Sequence, residues 1–196
     1  MKWIGLTGGI ATGKSKVEQL IKSLGIPVID ADQLAHQVVQ SDQPGLQLVV
    51  TQFGTEYLNP NGELDRRKLG QLVFKDTVAR EILEKILHPL VQAEVQKLKT
   101  EYDIKGYQNC VYSVPLLFEK NLEKQFDTIV TVWCDPKIQL ERLMKRNELS
   151  SEEALLRIKA QLPFWKKIKN SDFCIDNSTN LQDLEVQVKS FVEHNM

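Results

Sequence analysis

Short apolar runs recur along the chain, and helical patterns separate most of them. Five of these runs have the length and content of buried β-strands, the last being the weakest: Trp3–Leu6, Val28–Ile29, Val111–Val114, Thr128–Trp133 and Phe173–Ile175. Strands that alternate with amphipathic helices are typical of a parallel sheet covered by helices. The hydrophobic pattern therefore predicts an α/β fold built on a five-stranded parallel sheet.

Two insertions lengthen this pattern. About eighty residues separate the second and third predicted strands, whereas a crossover connection needs only about a dozen. This first insertion is helical in pattern: Leu46–Phe53 is amphipathic, Asn59–Asp65 is a turn, and Asp76 is placed to cap a long helix. The second insertion runs from Pro136 to about Lys169. We expect both insertions to be subdomains packed on one core.

The composition is that of an ordinary globular protein and argues against several kinds of partner. The 196 residues, of which 42% are hydrophobic and 26% charged, suffice for one substantial core. The formal net charge of −1 gives no electrostatic reason to expect binding to nucleic acid or to a membrane surface, and no apolar stretch is long enough to cross a bilayer. Cys110, Cys134 and Cys174 lack CxxC spacing, so we expect reduced, buried thiols in a cytoplasmic protein.

The segment GGIATGKS, from Gly8 to Ser15, fits the phosphate-binding pattern G-x-x-x-x-G-K-[ST] between a predicted strand and an amphipathic helix. Glycines let the backbone N–H groups turn toward a polyphosphate. Lys14 would bring positive charge to the β- and γ-phosphates, and Ser15 a hydroxyl ligand for Mg²⁺. A glycine-rich turn that matches by chance is the alternative. The residues that we expect to contact the nucleotide here are Gly9, Ile10, Ala11, Thr12, Gly13, Lys14, Ser15 and Lys16.

Two carboxylates, Asp30 and Asp32, follow the second predicted strand, at the sheet edge where ligands of open α/β folds gather. Phosphoryl transfer to an alcohol needs a carboxylate that accepts a hydrogen bond from the attacking hydroxyl. We expect Asp32 to take this role from the strand neighbouring the glycine loop, with Asp30 as a candidate for positioning Mg²⁺ or the loop. The alternative is that either carboxylate only caps the following helix.

Seven segments, taken together and in order, make the resemblance to a known family specific. They are GLTGGIATGKS, VIDADQLAH, GELDRRKLGQLVF, LEKILHPLV, VPLLFE, QLERLMKRN and SDFCIDN. Along essentially its whole length the chain resembles dephospho-coenzyme A kinases. The resemblance implies that ATP, with Mg²⁺, donates its γ-phosphoryl group to the 3′-hydroxyl of the dephospho-CoA ribose, the last step of coenzyme A synthesis. We expect no nucleic-acid or membrane partner, and a monomer or a weak homo-oligomer.

The resemblance also implies a division of the chain into three parts. The expected parts are a nucleotide-binding core of residues 1–30, 107–135 and 171–196, a helical acceptor domain of residues 31–106, and a helical lid of residues 136–170. The fold class is thus a P-loop NTPase-type α/β fold with an acceptor-binding insert and a small lid.

For the acceptor, the resemblance favours three residues. Arg66, just inside a helix start, suits an anionic group such as a pyrophosphate, although exposed helix arginines are usually solvated charges. His88 precedes Pro89, which should kink the long helix, and binding and purely structural roles for this histidine stay open. Pro115 ends the third predicted strand at the edge of the expected cleft.

In the expected lid, Arg142 matches the family's lid arginine and is our candidate for contacting phosphate in catalysis. Asp135 and Pro136 start its helix, and a closing lid would exclude water from the phosphoryl group. For Arg146 and Arg157 on the lid helices, ordinary surface charge is at least as good an explanation as a phosphate contact.

Near the ends of the later predicted strands, one residue matches a family position and one departs from it. Asn177 follows the last strand, where it would contact adenine or form a turn. Many family members carry an acidic residue where this chain has Ser113, so any acidic role there is absent or supplied elsewhere, with Asp30 as a candidate.

The family also often shows acidic residues where Trp165 and Lys166 stand, and we attach no function to this difference. Two other functions stay open: a P-loop kinase for another small acceptor, and a nucleotide-dependent switch or binding ATPase. The chain has no N-K-x-D motif of the kind that reads guanine, and the size of the first insertion favours a bulky acceptor.

Overall fold

The computed structural model describes all residues of the chain, 1–196. The chain divides into two compact units. The core unit comprises Met1–Asp30 and Tyr102–Met196, and the helical unit comprises Ala31–Glu101. No helix combines the length and the apolar composition needed to cross a membrane.

The core unit contains one sheet of five parallel strands, as the hydrophobic pattern predicts. The strands are β1 (Lys2–Gly8), β2 (Val28–Asp30), β3 (Asn109–Ser113), β4 (Thr128–Trp133) and β5 (Phe173–Asp176), in the spatial order β2-β3-β1-β4-β5. One expectation is wrong: β2, which precedes Asp32, is not the neighbour of the strand that leads into the glycine loop. β3 lies between β1 and β2, because the third strand along the chain pairs with both.

Nine α-helices complete the structure, together with two short 3₁₀ helices at Thr55–Tyr57 and Glu123–Gln125. The α-helices are α1 (Lys14–Ser23), α2 (Ala31–Gln37), α3 (Pro44–Phe53), α4 (Arg66–Lys75), α5 (Thr77–Ile104), α6 (Pro136–Asn147), α7 (Ser151–Lys159), α8 (Phe164–Lys169) and α9 (Leu181–Asn195). Four of them, α2 to α5, occupy the long insertion after β2.

Several helices begin where their capping residues predict. The Asp76 carboxylate accepts hydrogen bonds from the backbone N–H groups of Val78 and Ala79, and Asp135 caps α6 with Pro136 in its first turn. At the start of α7, Ser150 and Glu153 form a complete capping box. These contacts satisfy N–H groups that have no partner within the helix.

The main hydrophobic core lies between the sheet and the helices α1 and α9. Its buried members are Ile4, Leu6, Val17, Ile21, Val28, Val111, Val130, Val132, Ile175, Leu184, Val188 and Phe191. Because β1 is the central strand and almost wholly buried, the loop that follows it begins at the centre of the sheet.

The three cysteines are free, as expected, and Cys110 and Cys134 are buried. The expectation of a buried thiol is wrong for Cys174, which is exposed. Cys174 lies on β5, which is an edge strand, so one side of its backbone has no neighbouring strand to cover it. Partial burial still raises the pKa of this thiol.

Candidate active site

The glycine loop joins the end of β1 at Gly8 to the start of α1 at Lys14. Gly13 adopts a left-handed conformation with a φ of 93°, and Ala11 has a φ of 60°. A Cβ atom on Gly13 would lie 1.9 Å from the amide nitrogen of Asn177, and one on Gly8 would lie 2.6 Å from a backbone oxygen of β4. The loop therefore requires glycine at both positions, for its backbone conformation and for close approach.

Side chains from distant parts of the core unit hold this loop in place. The backbone N–H of Ile10 donates to Oε1 of Gln161 at 2.7 Å, and the side-chain amide of Gln139 donates to the Ile10 carbonyl at 2.8 Å. The amide of Asn177 donates to the Thr12 carbonyl at 2.8 Å. Neither Gln139, on α6, nor Gln161, between α7 and α8, was predicted from the sequence, because a glutamine carries no signal of its own.

Lys14 has a specific buried environment. Its ammonium group lies 2.6 Å from Oε1 of Glu18 and also donates a hydrogen bond to the hydroxyl of Ser113. Glu18 is only 3% exposed, and Ser113 is completely buried at the end of β3. Ser15 follows Lys14 in the sequence and is exposed at the N-terminus of α1.

Glu18 is the carboxylate that the structure places against Ser113. Asp30, and not Glu18, was the residue expected from the sequence for an acidic role in this region. A signal was present, because Glu18 follows Lys14 by four residues and falls between the buried positions Val17 and Ile21 of α1. A charged residue on the buried face of a helix needs a partner.

Arg142 and Asn177 meet beside the glycine loop. The guanidinium of Arg142, on α6, donates to the Asn177 carbonyl at 2.9 Å, while the Asn177 side chain binds Thr12 as described above. Arg142 also contacts the buried thiol of Cys134; burial raises the pKa of this thiol, and the nearby guanidinium opposes the rise without cancelling it. The structure thus brings Arg142, Asn177 and the loop together.

Pro115 belongs to a second buried polar cluster beyond β3. Its carbonyl accepts from the hydroxyl of Thr7 at 3.1 Å and from the ammonium of Lys167 at 3.3 Å. Lys167 is 1% exposed and forms an ion pair of 2.8 Å with Glu119, whose carboxylate also accepts from the Leu162 N–H. The cluster fastens α8 to the loop after β3, and neither Glu119 nor Lys167 was predicted to pair.

In the helical unit, Arg66 begins α4 and lines a cavity of about 550 Å³. The other residues that line the cavity are His36, Val39, Gln40, Ser41, Glu63 and Leu64. The Arg66 guanidinium donates to the His36 carbonyl at 2.6 Å, and partial burial lowers the pKa of Arg66 from its ordinary value.

The remaining predicted residues of the helical unit lie elsewhere in it. Asp32 is exposed in the first turn of α2. His88 is exposed on α5, which continues without a break through Pro89, and it is not among the residues that line the Arg66 cavity. The roles of both residues stay predictions.

The central strand of a parallel sheet that leads into a G-x-x-x-x-G-K-S loop and then a helix defines the class of P-loop proteins. Comparison with known proteins narrows this class to P-loop kinases. The family model for dephospho-CoA kinase matches residues 2–183.

Individual relatives agree with this match. The curated dephospho-CoA kinase of Bacillus thuringiensis subsp. konkukian is 46% identical over 190 residues, which are 97% of this chain and 95% of that protein. A solved dephospho-CoA kinase from Campylobacter jejuni is 28% identical with a TM-score of 0.73, covering 98% of this chain and 96% of its own. A solved protein from Thermus thermophilus is 32% identical with a TM-score of 0.82, and the match covers 100% of this chain and 98% of that protein. The chain belongs to the dephospho-CoA kinase family, which confirms the resemblance seen in the sequence.

Proposed function

We propose that this protein transfers the γ-phosphoryl group of ATP to the 3′-hydroxyl of the dephospho-CoA ribose. The observation that carries the proposal is the complete phosphate-binding loop at the end of β1, within a chain that matches the dephospho-CoA kinase family over residues 2–183. The reaction moves a phosphoryl group from one oxygen to another. Catalysis therefore depends on positioning and on compensating negative charge.

The loop and the start of α1 would hold the nucleotide. Gly9 to Lys16 surround the polyphosphate in this proposal, with Lys14 as the point charge at the β- and γ-phosphates. Magnesium fits this end of α1, because the exposed Ser15 hydroxyl is a hard oxygen donor of the kind that Mg²⁺ prefers. When bound with ATP, Mg²⁺ would neutralise part of the phosphate charge.

Asp32 is the proposed proton acceptor for the attacking hydroxyl. It follows Asp30, the last residue of β2, by two positions, and the carboxyl ends of parallel strands share one edge of the sheet. A carboxylate there would orient the 3′-hydroxyl and take its proton as the bond to phosphorus forms. This role rests on the resemblance and on the position of Asp32 along the chain.

Arg142 is the proposed lid residue that meets phosphate, with residues 136–170 as the lid. Its support is the contact with Asn177, whose side chain is bound to the loop that would hold the nucleotide. An arginine in that place neutralises charge that develops on the transferred group. Asn177 itself is proposed to lie beside the adenine.

For the acceptor we propose three binding residues: Arg66 and His88, within an acceptor domain of residues 31–106, and Pro115, which follows β3 in the core unit. The cavity around Arg66 supports an anion site, because a guanidinium there keeps its charge and offers several donors. We further propose that the protein works in the cytoplasm, as a monomer or a weak homo-oligomer.

A panel of acceptors tests the proposal. Protein, ATP and Mg²⁺ are mixed separately with dephospho-CoA, adenosine, cytidine or shikimate, and each product is identified by mass. We expect phosphorylation of dephospho-CoA alone. A phosphorylated nucleoside without phosphorylated dephospho-CoA would assign another acceptor, and ATP hydrolysis independent of any acceptor would indicate a switch.

A further inference from the structure

The buried contact of Lys14 with Glu18 and Ser113 has no role in the mechanism described so far. One carboxylate oxygen, Oε1 of Glu18, accepts from both the Lys14 ammonium, at 2.6 Å, and the Ser113 hydroxyl, at 2.5 Å. The ammonium also donates to the same hydroxyl. Three groups from α1 and β3 thus form a closed triangle of hydrogen bonds within the core unit.

The environment makes this triangle more than a surface ion pair. The side chain of Glu18 is 4% exposed and that of Lys14 is 13% exposed. An exposed lysine and glutamate four residues apart on a helix contribute little, since water competes for both charges. The buried Glu18 carboxylate needs a positively charged partner, and the same contact holds the Lys14 ammonium in place.

The triangle lies where the reaction needs a fixed charge. β1 and β3 are neighbours, with Leu6 opposite Ser113 in the register, so the end of β3 lies beside the strand that enters the glycine loop. Lys14 is the first residue of α1, directly after the loop. The flexible Lys14 side chain, with its four rotatable bonds, is held there by two hydrogen-bond acceptors, Glu18 and Ser113.

We infer that Glu18 is a positioning residue for phosphoryl transfer: with the Ser113 hydroxyl, it aims the Lys14 ammonium at the phosphates. The inference rests on the proposed function. Under this inference, the carboxylate beside Lys14 and Ser113 comes from α1 and not from a strand. Because Glu18 acts through Lys14, its loss should weaken stabilisation of the transition state more than binding of ATP, since the phosphate charge moves in the transition state.

Exchange of the carboxylate between the two elements tests this inference. Ser113 and Glu18 touch, so a carboxylate at position 113 can reach the same ammonium. We compare Glu18→Gln, which keeps the original volume, with Ser113→Asp, which replaces a buried hydroxyl by the larger carboxylate, and with the double variant. The exposed Glu193→Gln on α9 is the control for loss of a carboxylate.

We expect Glu18→Gln to lower kcat with dephospho-CoA by a factor on the order of 10–10², as for a misplaced catalytic group. The KM for ATP should change much less. Ser113→Asp alone should also lower kcat, because two carboxylates crowd one ammonium. The double variant should recover kcat at least roughly tenfold over Glu18→Gln, since it restores a single carboxylate.

The stoichiometry of ADP binding, measured by calorimetry, gives the fraction of each variant that is folded and binds nucleotide. Each kcat is divided by this fraction, so that loss of folded protein is distinguished from a misplaced Lys14 ammonium. Should Glu18→Gln not fold, the double variant decides: a folded double variant with near wild-type kcat supports the inference, and a folded, inactive one overturns it. Unchanged kcat in Glu18→Gln, or faster turnover with tighter ADP binding, also overturns it. Failure of the wild-type protein to phosphorylate dephospho-CoA would instead contradict the proposed function.

Discussion

At the residue scale, the site depends on positions that allow only one kind of side chain. Gly13 combines a left-handed backbone with an Asn177 amide nitrogen that leaves no room for a Cβ atom. Gly25 has a similar φ of 81°, yet nothing lies within 4 Å of its missing side chain. A comparison of substitutions at these two glycines therefore separates the effect of backbone strain from the effect of close packing.

We predict that Gly25→Ala costs about 1 kcal/mol of stability and leaves nucleotide binding intact, since only the left-handed conformation is penalised. Gly13→Ala should cost more and should weaken ADP binding at least tenfold, because the Asn177 side chain must leave the loop. Thermal unfolding and calorimetric titration with ADP measure the two effects. Equal behaviour of the two variants would contradict the importance of the Asn177 contact.

Asp32 gives the second prediction at this scale. Asp32→Asn removes the proposed proton acceptor and keeps the shape, so kcat should fall by a factor on the order of 10²–10⁴. ADP binding should stay as in the wild-type protein. Asp42→Asn is the matched control, because Asp42 is also exposed in the helical unit and has no proposed role. Near-normal turnover of Asp32→Asn would remove this carboxylate from the mechanism.

At the scale of elements, helix starts follow from the sequence because their contacts are local. Asp76, Asp135 and Ser150 all cap the helices that they precede. Hydrogen bonds from the backbone N–H of Ser150 and then from its hydroxyl lower the pKa of the Glu153 carboxyl. The burial of helix faces was less predictable, and Glu18 lies on the buried face of α1.

The capping box predicts a pH dependence. The folded pKa of Glu153 lies below its unfolded value, so its contribution is complete above the unfolded pKa and disappears as the pH falls through the folded pKa. Ser150→Ala should therefore lower the Tm at neutral pH, and the difference from wild type should shrink in acid. Thermal unfolding over a pH series checks this. A difference that stays constant into the acid range would show that the bond from the Ser150 hydroxyl to the Glu153 carboxylate does not contribute.

At the scale of the whole molecule, distant segments of the core unit are joined by buried polar contacts. Lys167, on α8, pairs with Glu119 in the loop after β3, and both also contact backbone groups of other segments. One oxygen of Glu119 is buried without a hydrogen-bond partner. The remaining charge of the pair would therefore be poorly satisfied if either member were removed.

We predict that Lys167→Met destabilises the protein by about 3–5 kcal/mol, because it leaves the Glu119 carboxylate buried without its counter-charge. The Lys97–Glu94 pair, with side chains 70% and 42% exposed, is the control. Lys97→Met should change stability by less than about 1 kcal/mol. Urea unfolding measures both, and a Lys167→Met cost as small as that of the control would mean that water reaches the pair.

The sequence alone determined the features that depend on neighbours along the chain. The five strands, the capped helix starts, the glycine loop and the family all follow from short segments, because backbone preferences and periodic burial act within a few residues. These features were enough to predict the fold and the reaction class.

Only the tertiary structure decided which residues meet across long separations. Glu18 reaches Ser113 across 95 positions, Asn177 reaches Thr12 across 165, and Gln161 reaches Ile10 across 151. The strand order also separates β2 from β1 by β3, against expectation. Such contacts arise from how the helices pack on the sheet, and a side chain's type does not identify a partner that is far away in the chain.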